Sequence, residues 1–298
     1  MKNKPLKKRR QENSAYLYIL PFVAIFVVFK IVPILYGLFI SVLDRNSIKK
    51  AMSMTFVGIQ NFRKVFTSET FWNAFLNSLI YAGIYIVLRM VVGFIFAILL
   101  NKRFKGRTAV RTMIYMPFVT NVIAIGIVFQ YLLDPYNGPI NAIFRLFGMQ
   151  GPMWLLSTKL ALPASSMVAV WAAVAFDIIT LLAALQDIPQ SLYEVADIEG
   201  ASELQKVWHI TFPLLIPTLF TLLTLVIVAS FKSYNIIMAL TEGGPGGASR
   251  TLSFKIYEDS FKYGYYSIGA AESVFFAAFI IFINSIFNRI RSSWERKN

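Results

Sequence analysis

Few residues in this chain could do covalent chemistry. Its 298 residues include one histidine and no cysteine, which removes thiolate metal sites and cysteine nucleophiles together. His209 stands beside Trp208 with no second histidine to share a metal, and neither His-Glu-x-x-His nor a Ser/His/Asp set is present. Gly243-Gly244-Pro245-Gly246-Gly247 is glycine-rich, but no Gly-Lys-Ser/Thr follows, so it reads as a loop beyond a helix end and not as a phosphate cradle. No catalytic residue, cofactor or metal is expected. What remains is charge in unusual places. Lys30, Arg89, Asp177, Lys232 and Glu272 interrupt otherwise apolar runs, and five acids (Asp187, Glu194, Asp197, Glu199, Glu203) share a segment with one base, Lys206.

The elements that carry these residues follow from composition. Hydrophobic residues make up 57% and charged residues 15%, against roughly 25% charged in soluble domains. The uncharged runs, extended over their apolar flanks, give six spans at about 15–36, 74–99, 112–133, 161–185, 213–240 and 267–287, each near the ~20 residues a bilayer core demands. The first has a basic start like a signal peptide, but it is too long and lacks an Ala-x-Ala site, so it reads as a retained helix. The formal charge of +14 first suggests a polyanion. With the amino terminus inside, however, the segments 1–14, 101–111, 187–211 and 288–298 carry 16 Lys/Arg over 61 residues, and the outer segments 44–70, 134–159 and 241–265 carry 10 over 78. Both termini are therefore expected in the cytoplasm, and the basic stretches face the inner leaflet of the lipid bilayer and not nucleic acid.

The inner loop 187–211 breaks that pattern by being acidic. Ser191-Leu192-Tyr193-Glu194 after Pro189, and Ser202-Glu203-Leu204-Gln205, both read as capping boxes, with Gly200 between them as a left-handed helix stop. Leu192, Val195 and Ala196 share one face of the first short helix; Leu204, Val207 and Trp208 share one face of the second. A helix–turn–helix on the cytoplasmic surface is predicted, with Ala196, Gly200 and Ala201 small enough for another protein to approach. The bland reading of Glu194 is a helix-capping role alone.

At these residues the chain resembles a known family. Glu194-Val195-Ala196, Gly200 and Ile210-Thr211-Phe212-Pro213 resemble the E-A-A-x3-G-x9-I-x-L-P motif of the permeases of binding-protein-dependent ABC importers, with Val195 and Phe212 as conservative departures. The resemblance implies that Glu194, Val195, Ala196, Asp197, Gly200 and Ala201 dock on an ATPase subunit and that Ile210 and Pro213 connect the loop to the fifth span. Leu240-Thr241-Glu242-Gly243-Gly244-Pro245, Thr251-Leu252, Tyr263-Gly264-Tyr265, Phe56–Phe62 and Gly138-Pro139-Ile140-Asn141 look like the first permease of carbohydrate-type importers, the class of MalF and UgpA.

Among the ionisable residues of the spans, Lys30 reads as snorkelling to the interface and Glu272 as lying near the wet outer end of the sixth span. Asp177 and Lys232 fall at similar depth and read either as a buried pair or, with Tyr234, Asn235 and Arg89, as the border of a solute path.

The reading is an all-α polytopic membrane protein with six transmembrane helices, of the type I importer (MetI/MalF-like) fold. It comprises a cytoplasmic basic tail 1–14, a transmembrane domain 15–287 with coupling loop 187–211, and a cytoplasmic tail 288–298. The resemblance implies a non-enzymatic permease of the bacterial cytoplasmic membrane, importing a sugar or oligosaccharide by alternating access. Its implied partners are a second permease, two ATP-binding subunits and an extracytoplasmic solute-binding protein. The rivals are the same machine carrying glycerol phosphate or another organic anion, and an ion-coupled secondary transporter.

Overall fold

The computed structural model describes residues 18–44, 55–102 and 104–296. The tail 1–14, part of the outer segment 44–70 and the last two residues lie outside the described residues. Among the described residues, five helices are long and apolar enough to cross a membrane: Tyr18–Ser41 (α1), Glu69–Asn101, Ala161–Gln186, Glu203–Ser230 and Tyr266–Glu295. Arg107–Val119 and Val122–Leu132 are together apolar enough for a sixth, but they are bent by 104° at the break between them, the form of a broken span or a re-entrant loop.

The segment expected as the third span, 112–133, is thus a bent pair of helices, and the reason is local. Pro117 lies inside the first half and removes a backbone donor. Thr120 is extended, and Asn121 Oδ1 accepts from the Ile123 amide at 2.8 Å to start a new helix. The fifth span is interrupted as well. It was expected to run to 240, but Glu203–Ser230 ends at Phe231 and a separate helix occupies Tyr234–Leu240.

Contacts divide the chain into two units, one of residues 1–67 and 259–275 and one of 68–258 and 276–298. In the first, α1 is followed by a two-stranded antiparallel ribbon, Leu43–Asp44 (β1) with Thr55–Phe56 (β2), and by the helix Gln60–Phe66 (α2). Asn61 is buried and donates to the carbonyls of Ser41 and Leu43, both at 2.9 Å, which fixes α2 to the end of α1. Glu272, expected to be wet, is instead buried in protein, 1% exposed.

The second unit is held by Glu69–Asn101 (α3) against Ala161–Gln186 (α7), the most extensive helix pair in the chain. Ser68 caps α3 and Glu69 favours its positive end. Arg107–Val119 (α4) also packs on α7, and Val122–Leu132 (α5) packs on Tyr234–Leu240 (α10). At that second contact a Cβ on Gly126 would run into the Ala239 methyl, so glycine is what allows the two helices to touch. Pro139–Leu146 (α6), Gln190–Ile198 (α8), Glu203–Ser230 (α9), Leu252–Tyr257 (α11) and Tyr266–Glu295 (α12) complete the order.

Two prolines shape their helices in one way. Pro33 and Pro213 each follow a five-residue π turn, Val27–Ile31 and Val207–Thr211. A proline ring collides with the carbonyl four residues back, and a locally widened turn relieves that collision.

The signature loops turn out to be structural clamps. Asn141 donates to the carbonyls of Pro135 (3.1 Å) and Pro152 (3.0 Å) and accepts from Trp154 Nε1 (2.8 Å), closing the segment 135–154. After α10 the backbone takes positive φ at Glu242 (48°) and Gly243 (78°), which confirms the loop reading of Gly-Gly-Pro. Asn77 on α3 donates to the carbonyls of Gly247 and Arg250, both at 3.1 Å, and Ser78 Oγ accepts from the Leu252 amide at 2.7 Å.

Candidate functional site

The loop after α7 folds as two short helices, built by ordinary end chemistry. Gly200 has φ 76°; its amide donates to the Asp197 carbonyl (3.1 Å) and the Ala201 amide to the Ala196 carbonyl (2.9 Å), the paired bonds of a Schellman stop. Ser202 and Gln205 form the expected capping box in full. The box expected at Ser191–Glu194 does not form. The first helix starts after Pro189, with no side-chain cap, so Ser191 is already inside it. A Pro-preceded first turn has φ set in advance and dispenses with the serine.

Two contacts join the two helices, and two more steady the second. Tyr193 Oη and Thr211 Oγ1 lie 2.9 Å apart. Lys206 pairs with Asp197 across the turn and with Glu203 at 2.9 Å. Glu203 also reaches Lys102, at the end of α3, at 3.3 Å. Asp197, expected as a docking residue, also braces the turn, with its side chain still largely exposed. Ala196 is buried in this chain, where its small side chain packs internally. The outward face holds Glu194, which has no partner among the described residues, together with Leu192, Val195 and Ile198, exposed by 42%, 54% and 87%. Ile198 was not singled out from the sequence; its i, i+3, i+6 spacing with Leu192 and Val195 is the signal that could have found it. Gly200 is exposed, with open space around it, and Ala201 is half-buried. Ile210 lies in the π turn and Pro213 just beyond it, so the loop runs into α9 without a flexible joint.

The intramembrane charges pair differently from the expectation. Asp177 does not meet Lys232. It receives a bidentate pair from Arg89, through Nε to Oδ2 and through Nη2 to Oδ1 at 3.1 Å. Arg89 Nη1 also donates to Tyr85 Oη at 2.6 Å. Asp177 is fully buried and Arg89 6% exposed. Gly93, one turn along α3, brings α7 close enough: a Cβ there would stand 3.2 Å from Asp177 Cβ. Helix geometry explains the choice, because α3 and α7 are the closely packed pair while Lys232 sits in the break after α9. Its side chain is exposed, with no charged partner among the described residues. Asn235 is exposed and Tyr234 half-buried, its ring 4.6 Å from that of Tyr257. Ser233 fastens the break through Thr251, 2.9 Å away. The residues proposed together from sequence therefore separate into a buried pair, Arg89 with Asp177, and an open group, Lys232, Tyr234 and Asn235.

A helical membrane unit with a rigid, outward-facing loop of this form matches a described family. Residues 89–296 match the model of the binding-protein-dependent transport system inner membrane component. The chain belongs to that family. This inner membrane component is 32% identical over 267 residues to the trehalose/maltose transport system permease protein MalF of Thermococcus litoralis, covering 90% of each chain. It is 31% identical over 269 residues to the sn-glycerol-3-phosphate transport system permease protein UgpA of Agrobacterium fabrum, covering 89% and 90%. Its fold superposes at a TM-score of 0.84 on a chain from the crystal structure of a bacterial ABC transporter involved in the import of the acidic polysaccharide alginate, at 24% identity over 96% and 97% of the two chains. The type I importer fold is thus established, and the chain is a transport permease subunit of the inner membrane. The stand-alone ion-coupled transporter is set aside.

Proposed function

We propose that this permease carries a sugar or oligosaccharide into the cell in an ATP-driven cycle. It does so with a second permease, two ATP-binding subunits and an extracytoplasmic solute-binding protein. The observation that carries the reading is the braced helix–turn–helix at 190–211. Its exposed Leu192, Val195 and Ile198 form an apolar strip beside Glu194, which has no partner among the described residues, a surface suited to a cleft on a soluble partner. Tyr193–Thr211 and Lys206–Asp197 keep the two helices from flexing. Movement of a docked ATP-binding subunit then passes to α9 through Ile210 and Pro213, and alternating access follows as the spans swing together. The termini lie in the cytoplasm on this reading, and residues 15–287 act as one transmembrane domain between two basic tails. ATP is hydrolysed in the partner subunits.

The break between Ser230 and Tyr234 leaves helix-end backbone at membrane depth, which is tolerated where it lines a cavity or is buried in protein. Lys232, Tyr234 and Asn235 border the solute path there. Arg89 and Asp177 neutralise each other behind it and support the wall. Lys232 also favours a second reading, an anionic cargo such as glycerol phosphate, because an exposed cation in a span seeks a counter-charge.

The test is the charge and apolar face of the loop. Glu194→Arg and Val195→Asp should each strip the ATP-binding subunits from the purified permease while leaving its folding intact by thermal unfolding. Co-purification and uptake at wild-type levels in both variants would sink the docking assignment.

A further inference from the structure

The start of α4 carries two cations with little to hold them. Arg107 and Arg111 stand one helical turn apart, both half-buried, where like charges repel. Neither has an ion-pair partner among the described residues. Both Nε–H groups are shielded from solvent with no acceptor among the described residues. Among the described residues the two guanidinium groups make one hydrogen bond, a long one from Arg111 Nη2 to the Leu100 carbonyl at 3.4 Å. No acid is in reach by sequence, because residues 70–133 contain no Asp or Glu. On α7, Asp177 is already held by Arg89.

The same face of α4 continues as Val110, Ile114 and Pro117, which line an apolar groove of about 550 Å³ together with Val92 and Phe96 of α3 and Trp171 of α7. The positions 107, 110, 111, 114 and 117 follow the helical repeat, so cations at the cytoplasmic turn stand directly above an oily cleft. A surface of that kind has one natural complement, a molecule with an anionic head and a hydrocarbon tail.

We propose that this groove is a binding site for an anionic phospholipid of the inner leaflet. One acyl chain lies between α3, α4 and α7, and the phosphodiester is held by Arg107 and Arg111. Arg111 is tethered to the end of α3 through Leu100, so bound lipid would also join the inner ends of α3 and α4 beside the coupling loop. The site thus offers a route by which membrane charge tunes transport.

The test uses the intact permease with the subunits that accompany it, delipidated and placed in nanodiscs of phosphatidylcholine alone or mixed with phosphatidylglycerol. Native mass spectrometry should find phosphatidylglycerol retained in preference to phosphatidylcholine. The double variant Arg107→Gln, Arg111→Gln should lose that preference by about thirtyfold, at about a tenfold change for each 1.4 kcal/mol and roughly 1 kcal/mol per cation. Arg107→Lys with Arg111→Lys should keep most of it. Ile114→Trp, which fills the groove, should reduce retention of both lipids while leaving the arginines in place. Equal retention of the two lipids by the wild type overturns the proposal. So does a double glutamine variant that folds and keeps the preference, or a cross-link from position 114 to a protein subunit in place of lipid. Displacement of the signal by inorganic phosphate would assign the arginines to a free anion and equally overturn the lipid.

Discussion

Arg89 and Asp177 form a buried, two-pronged ion pair between α3 and α7. Breaking such a pair leaves one charge stranded without water. Asp177→Ala or Arg89→Ala should each destabilise the permease by about 3–5 kcal/mol, whereas Arg89→Met with Asp177→Leu should recover most of the loss. Thermal unfolding in detergent reads both. A double variant no better than the singles would mean that the pair contributes through something other than mutual neutralisation.

Lys232→Gln should leave unfolding unchanged, because the ammonium has no charged partner to lose among the described residues. Its effect belongs in transport. With Asn235→Ala it should alter apparent affinity or cargo preference in the assembled transporter, measured by competition between neutral sugars and phosphodiesters. Unchanged uptake and preference in both variants would remove these residues from the solute path.

Gly200→Ala tests the turn of the coupling loop. The space around Gly200 is open, so a methyl clashes with no neighbour; the cost is the φ of 76°, about 1–2 kcal/mol for an ordinary residue and less for asparagine. Amide exchange across 196–206 should therefore quicken in Gly200→Ala and less so in Gly200→Asn. Equal protection in all three proteins would show that the left-handed stop does not limit loop stability.

Gly126→Leu should force α5 away from α10, because even a Cβ there would collide with the Ala239 methyl. Overpacking of this kind costs roughly 1–3 kcal/mol. A cysteine pair placed across this contact should cross-link in the wild-type background and fail to do so with leucine at 126. Cross-linking that persists would refute the close approach of the two helices.

Periodicity and composition made the helices legible, because a bilayer imposes length and apolarity on every span. The loop was legible too, down to the capping box at Ser202 and the glycine stop, because caps are local chemistry between residues three or four apart. Pro117 and Asn121 carried the signal of the broken third span; a run free of charges concealed it. The break at 231–233 was marked by the charge of Lys232, which the expected span ran across.

Partner choice was another matter. Depth along a span placed Asp177 level with Lys232, yet two residues at equal depth meet only if their helices face each other. That depended on α3 and α7 packing closely at Gly93, a fact of the tertiary structure. The exposure of Ile198, the burial of Ala196 and the use of Asp197 as a brace were likewise settled by which face turned inward. The sequence by itself determined which segments are apolar helices and where the helix–turn–helix after α7 lies, because those follow from the solvent and from neighbours along the chain. Only the tertiary structure decided which charges cancel and which are left to act, because ion pairing falls off within a few ångströms and needs side chains from separate helices to converge.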